Sequence, residues 1–490
     1  MRRFVRPARL AAAAAVAAAL LWPAASPALG AAQQTCGGTG SVTTVTGALK
    51  DGATYEIQCP AGGWNGTLFL YSHGYVSPGS ANPAQDVGDP VTGAWMLAHG
   101  FALAGSSYAK TGWAIQQALP DQIGTLGVFR TAFGRPTQTV AWGHSLGGII
   151  TAGLVQDYPR TFTAALPMCG VVSGGVATWN TALDSAFAFQ QLSASGTGLQ
   201  VVDITNPVGN LTTAEQAAAT AQGSAAGRAR LALSSALGDT PGWFTPLSPQ
   251  PARTDFAAQE QNQFEWATQV DFPFAFALRA NLEQVSGGNP SWTTGVNFAR
   301  QLRKSADYRE VVALYKAAGL SLRGDLQTLN RAARIKADPR AVRYLSRNIS
   351  FDGHLPVPVL TMHTTGDGLV VPENEQAYAR VVARAGDSRL LRQVFVARAG
   401  HCAFTPAETI AVVQVLMNRV ATGRWHAAAL KPASMNAAAA GLGPAYNIFS
   451  ASGGTCPVGS PVSGVCATPP AFVRYRPAAY LRPFDLRHRR

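Results

Sequence analysis

The chain has 490 residues, a formal charge of +13, and 47% hydrophobic against 13% charged residues. The positive charge is diffuse except near the C-terminus, and no basic stripe with interleaved stacking aromatics occurs, which argues against a nucleic-acid partner. No segment after the first thirty residues is long and apolar enough to span a bilayer, for which about 20 residues are needed.

Residues 1–30 read as an export signal. Arg2, Arg3, Arg6 and Arg9 form a positive start, Leu10 to Trp22 an alanine-rich apolar run too short to span, and Ala28-Leu29-Gly30 a small-residue cleavage site. The mature protein is expected to be soluble and extracellular, by either the general or the twin-arginine route. Losing four arginines and no acid lowers the charge from +13 to +9. The cluster Arg474, Arg476, Arg482, Arg487, Arg489 and Arg490 reads as a solvated tail.

The run Thr67 to Ser72 is a buried strand that ends at His73-Gly74-Tyr75, and Gly100 to Ala104 is a second. Next, Thr139-Val140-Ala141-Trp142 leads into Gly143-His144-Ser145-Leu146-Gly147, and the apolar run Ile149 to Val155 leads out. Strand, tight turn and helix is the setting of a nucleophile elbow, in which Gly143 and Gly147 let strand and helix approach while Ser145 projects into a cleft. With 50 glycines in the chain the pentapeptide alone is weak evidence, and its context carries the reading. Ala164 to Gly170 is a further strand. From Val176 to Ser350 apolar positions recur three and four apart, as in Arg309 to Lys316 and Ala341 to Leu345, so this stretch is helical. Its aromatic cluster, Trp266, Phe272, Phe274 and Phe276, reads as helical core in preference to a lid over an acyl pocket. Val357 to His363 and Leu391 to Val396 are two more strands. Strands separated by helical patterns imply a parallel sheet with crossover helices.

A serine hydroxyl is a poor nucleophile until a base takes its proton, and a third group must hold that base in the right tautomer. Of eight histidines, His401 is best placed, after the strand Leu391 to Val396 and a short Ala-Arg-Ala-Gly turn. His144, inside the elbow, reads as packing, and His99, His354, His426 and His488 have no strand-end setting. Asp367 is the expected acid, in the glycine-flanked turn Gly366-Asp367-Gly368. Asp352 belongs to the opposite sheet edge, and Glu373 and Glu375 begin a helix. Two backbone amides should stabilise a developing oxyanion: that of Leu146, which follows the nucleophile, and that of Tyr75 after His73-Gly74.

All six cysteines, Cys36, Cys59, Cys169, Cys402, Cys456 and Cys466, follow the signal, and an even number in an exported chain implies disulfides. Fifteen pairings are possible. Proximity favours Cys36 with Cys59 and Cys456 with Cys466, leaving Cys169 with Cys402 beside His401. The spacings match no zinc motif, so no metal is expected.

Ser145, Asp367 and His401 in that order, with His73-Gly74 upstream, resemble the α/β-hydrolase fold, in secreted bacterial members with a large cap. That resemblance implies a mostly parallel sheet flanked by helices, with a helical cap inserted before the acid-bearing strand. It divides the chain into a signal (1–30), the first part of the core (31–175), the cap (176–350), the rest of the core (351–425) and an appendage (426–490). The His401-Cys402 pair also resembles tannases and feruloyl esterases, in which cysteines beside the nucleophile and the histidine are bridged; here His144 precedes the serine, so the partner would be Cys169. The implied activity is ester hydrolysis through an acyl-enzyme on a small or polymeric substrate, without cofactor and without nucleic-acid partner. The alternatives are an exopeptidase or amidase of the same fold, whose amine-holding acids the sequence does not reveal, and a non-catalytic binding protein. Acyl length, oligomeric state and export route are left open by the sequence.

Overall fold

The computed structural model describes residues 34–450 and 465–484. The expected export signal and Cys456 therefore lie outside the described residues.

Among the described residues, nine strands form one sheet: β1 (Thr43–Ala48), β2 (Thr54–Cys59), β3 (Thr67–Ser72), β4 (Ala102–Ser106), β5 (Gln138–His144), β6 (Ala164–Met168), β7 (Val359–Gly366), β8 (Leu391–Ala399) and β11 (Phe472–Val473). A separate two-stranded ribbon joins β9 (Ile448–Ser450) to β10 (Val465–Ala467). The order across the large sheet is β1-β2-β4-β3-β5-β6-β7-β8-β11. Strands from β4 through β8 run parallel, while β1, β2 and β11 are paired antiparallel at the two edges.

The central strands are buried on both faces, which explains their near-continuous apolar runs. In β3, Leu68 and Leu70 face a core layer with Ile149, Ile150 and Tyr378. Phe69 and Tyr71 face the other, with Trp142, Ile410 and Leu416. At the edge, β1 alternates half-buried and exposed positions. Its threonine-rich sequence gave no apolar run, so β1 and β2 were not expected. A disulfide from Cys36 to Cys59 ties the start of the described chain to the end of β2.

From β3 the chain crosses to β4 on one side and then to β5 on the other, so the order reverses between β3 and β5. Such a reversal opens a crevice at the carboxyl ends of the strands, where α/β sheets bind ligands.

Between β6 and β7 lie only helices, from Gly175–Leu192 to Pro339–Arg347. They have apolar clusters of their own, one around Phe187, Leu233, Phe298 and Tyr315 and another around Phe189, Leu231, Phe272 and Phe276. Trp266, Phe272 and Phe276 are buried as expected for helical core, whereas Phe274 is only half-buried. Around them the chain widens into π-helix, Ala267–Asp271 and Pro273–Leu278. Pro273 has no N–H for an α-helical bond, and the wider turn accommodates it.

Two sequence expectations need correction. The segment Ala397-Arg398-Ala399 is not a turn: β8 continues through Ala399. Arg398 interrupted the apolar pattern, yet it is buried and paired to Glu408 at 2.6 and 2.9 Å. The C-terminal arginines are not all solvated, because β11 pairs with β8 and the Arg482 guanidinium bonds both carboxylate oxygens of buried Asp184 at 2.7 and 2.6 Å. No helix among the described residues is long and apolar enough to cross a membrane.

Candidate active site

Ser145 follows β5 directly, with φ +57° and ψ −122°, and the helix Leu146–Asp157 starts at the next residue. A side chain held at such a positive φ is strained and persists only where its surroundings impose it. The glycines impose it here. A Cβ at either Gly143 or Gly147 would overlap the Ser72 carbonyl oxygen of the adjoining strand, and at Gly148 it would come within 2.5 Å of the Gly170 Cα. Strand and helix therefore close on the serine from both sides, and its hydroxyl points over the carboxyl edge.

The histidine and the acid, 256 and 222 residues further on, come to it from two neighbouring strands. His401 Nε2 lies 2.8 Å from Ser145 Oγ, and Nδ1 lies 2.7 Å from Asp367 Oδ2. Asp367 stands just past β7, fully buried, and its other oxygen accepts the amides of Leu369 and Val370 at 3.1 and 3.0 Å. Burial pushes its carboxyl up, but the charges and hydrogen bonds of His401 and His363 outweigh that and hold it below the ordinary carboxylate range. An ionised Asp367 can only accept, so Nδ1 of His401 carries a proton and donates it, which leaves the Nε2 lone pair facing the serine hydroxyl.

This sheet order together with this elbow decides the fold. It is that of an α/β-hydrolase. Comparison with family models gives no match. The chain is 29% identical over 426 residues to the o-phthalyl amidase of Xanthobacter agilis, covering 81% of this chain and 91% of that one. Among solved structures, feruloyl esterase B from Aspergillus oryzae aligns over 78% of this chain and 80% of its own, with 12% identity and a TM-score of 0.37. The cell wall degrading esterase LipA from Xanthomonas oryzae aligns over 77% and 87%, with 14% identity and a TM-score of 0.32.

The hydrolase fold also fixes the surroundings of the three residues. Cys402 is bridged to Cys169, which ends up beside it just past β6. Both cysteines have positive φ, +55° and +42°. The Cys402 sulfur lies 3.4 Å from His401 Nε2, and the Thr364 hydroxyl donates to the Gly400 carbonyl at 2.8 Å. The loop carrying His401 is thus held on either side of the imidazole. Cys466 is also disulfide-bonded; its expected pairing with Cys456 falls outside the described residues.

On the opposite wall the chain turns from β3 into His73-Gly74-Tyr75. A Cβ on Gly74 would stand 3.4 Å from the Ser145 Cβ, so this backbone lies against Ser145. Tyr108 stacks on the His73 ring at 4.0 Å and donates its hydroxyl to the His73 carbonyl at 3.0 Å, bracing the loop. Leu146 is the first residue of the elbow helix and Tyr75 lies in this facing loop, where the expected amide donors would have to be. His144 bonds the Tyr71 hydroxyl at 3.0 Å, and burial, then the proximity of His401, lowers its pKa to about 4. It is a neutral packing group.

His363 and Glu375 were missed as site residues. His363, in the middle of β7, is fully buried, with Nδ1 3.1 Å from Glu375 Oε1 and Nε2 2.7 Å from the Val370 carbonyl. A carbonyl oxygen and a carboxylate both only accept, so the ring carries two protons. Burial pushes its pKa down, but Asp367 and Glu375 outweigh this and raise it to about 10. The legible signal was a histidine inside a strand buried on both faces, where an unpaired polar ring would be costly.

Proposed function

We propose that the chain is a secreted serine hydrolase that cleaves carboxylic esters through an acyl-enzyme, with Ser145 as nucleophile, His401 as base and Asp367 as its orienting acid. The observation that carries this reading is the continuous hydrogen-bond path Ser145–His401–Asp367, 2.8 and 2.7 Å. In the first step Ser145 Oγ bonds to the substrate carbonyl carbon while its proton passes to His401 Nε2. The oxyanion would take hydrogen bonds from the Leu146 and Tyr75 amides. Collapse breaks the bond to the leaving group, which takes the proton from His401. Water then repeats the sequence on the acyl-enzyme, releasing the acid and restoring the serine. No step calls for a metal or an organic cofactor. Disulfides and the N-terminal signal pattern support export, and residues 176–350 are assigned as the cap that shapes the substrate pocket.

A second reading, an amidase, is favoured by the similarity to the o-phthalyl amidase. A panel of p-nitrophenyl esters and p-nitroanilides run on the mature protein separates the two. Ester turnover well above anilide turnover is expected; anilide turnover alone would sink the esterase reading. Ser145→Ala should lower kcat by roughly 10⁴-fold or more. An alanine variant as active as the parent would dismiss the whole assignment.

A further inference from the structure

Beside the candidate site, between the inserted helices and the turn after β7, lies a pocket of about 100 Å³ whose wall includes Asp271, Phe272, Phe274, Phe276, Leu369 and Tyr480. Two of its lining residues touch the surroundings of Ser145 and His401. Leu369 is the residue whose amide bonds Asp367, and Phe274 packs edge-on against Tyr75 with ring centroids 5.2 Å apart.

Asp271, the last residue of the π-helical stretch Ala267–Asp271, is the group in this wall that an acyl pocket of apolar character does not need. Asp271 is half-buried beside aromatic rings, where an apolar residue would fill the same space at less cost. The lining holds no lysine, arginine or histidine among the described residues; its other titratable group is Tyr480, and the remaining polar side chains are hydroxyls and an amide. Asp367 has His401 and His363 to answer its charge, whereas among the described residues Asp271 is answered by a hydrogen bond from Thr240 and by no cation. Burial, and then the negative charge of Asp367, push the Asp271 carboxyl well above the ordinary range. The Tyr480 hydroxyl is pushed up by burial as well, so it stays neutral and brings no charge of either sign. A carboxyl with a second carboxylate nearby and aromatic rings around it is suited to an organic ammonium, which both the charge and the ring faces attract. The size of the pocket suits a single ring or a short chain.

We propose that Asp271 is a specificity residue that receives a protonated amine on the acyl part of the substrate, with the neighbouring phenylalanine rings packed along its stem. This rests on the reading of Ser145 as nucleophile. It also supplies the amine-holding acid that the sequence alone did not reveal.

The test uses p-nitrophenyl esters in matched pairs: 6-aminohexanoyl against heptanoyl, and 4-(aminomethyl)benzoyl against 4-ethylbenzoyl. In at least one pair, kcat/KM at about pH 8 should favour the ammonium member by about tenfold or more, the worth of a charge-assisted contact. In Asp271→Asn the ratio should drop about tenfold. Preference for the neutral member in both pairs of the wild type, a comparison that needs no variant, would overturn the proposal, as would a ratio unchanged in Asp271→Asn. Failure to hydrolyse even p-nitrophenyl butyrate would instead remove the Ser145 reading, and this inference with it.

Discussion

At the scale of single residues, Glu375, His363 and Asp367 form a line of charges that alternate in sign. An exposed imidazole gives up its proton near pH 6.5. In the fold, Asp367 and Glu375 keep the proton on His363 up to about pH 10. A basic group whose pKa is raised by folding stabilises the native state fully below the unfolded value and loses that contribution as pH climbs toward the folded one. Wild-type stability should therefore decline from about pH 6.5 to pH 10, and His363→Gln should be less stable at pH 6 yet show a flatter decline. Urea midpoints at pH 6 and pH 9.5 check this; parallel declines in the two proteins would refute it. Asp367 acts with the opposite sign. Its folded pKa is depressed, so its contribution is present above about pH 4 and lost on acidification.

At the scale of elements, much of this was legible. β3 matches its expected limits, and the strand, tight turn and helix around Ser145 are where the pentapeptide put them. Long apolar runs are readable because strands covered on both faces leave no room for alternation. The edge strands β1, β2 and β11 are not readable that way, since they are partly solvated and carry no continuous apolar run. The end of β8 was hidden by Arg398, whose partner Glu408 stands on the next helix and balances its charge. Around His401 the element of interest is the loop between β8 and that helix. Its backbone is strained at Cys402 and the bridge anchors it to the end of β6, so removing the bridge should let the imidazole drift from Ser145. A misplacement of about 1 Å costs roughly a hundredfold in rate, so the pair Cys169→Ala and Cys402→Ala should lose activity of that order. Its stability should drop by about 2–4 kcal/mol. A double variant with normal kcat and a lowered unfolding midpoint would show that the bridge stabilises the fold without organising the histidine.

At the scale of the molecule, the C-terminal segment ties the inserted helices to the sheet. β11 extends the sheet at β8, the Tyr480 amide bonds Gln376 on the helix after β7, and Arg482 reaches Asp184 on the first inserted helix. Nothing in a run of arginines near a chain end distinguishes Arg482 from its neighbours, because its partner is 298 residues away. Asp184 is fully buried, and removing one partner of a buried pair leaves the other uncompensated, at a cost of about 3–5 kcal/mol. The loss should depend on pH. Burial lifts the Asp184 carboxyl to about 6 even though Arg482 opposes the shift, and without Arg482 it must rise further. An acid whose pKa is raised by folding is least costly when protonated, so stability falls as pH climbs through its folded value. Arg482→Ala should therefore show its full deficit near pH 8 and a smaller one near pH 5, where Asp184 regains neutrality by binding a proton. Urea denaturation at both values measures the difference. Equal deficits at the two pH values, or a deficit below about 1 kcal/mol of the kind surface pairs give, would mean that Arg482 is not the clasp described here.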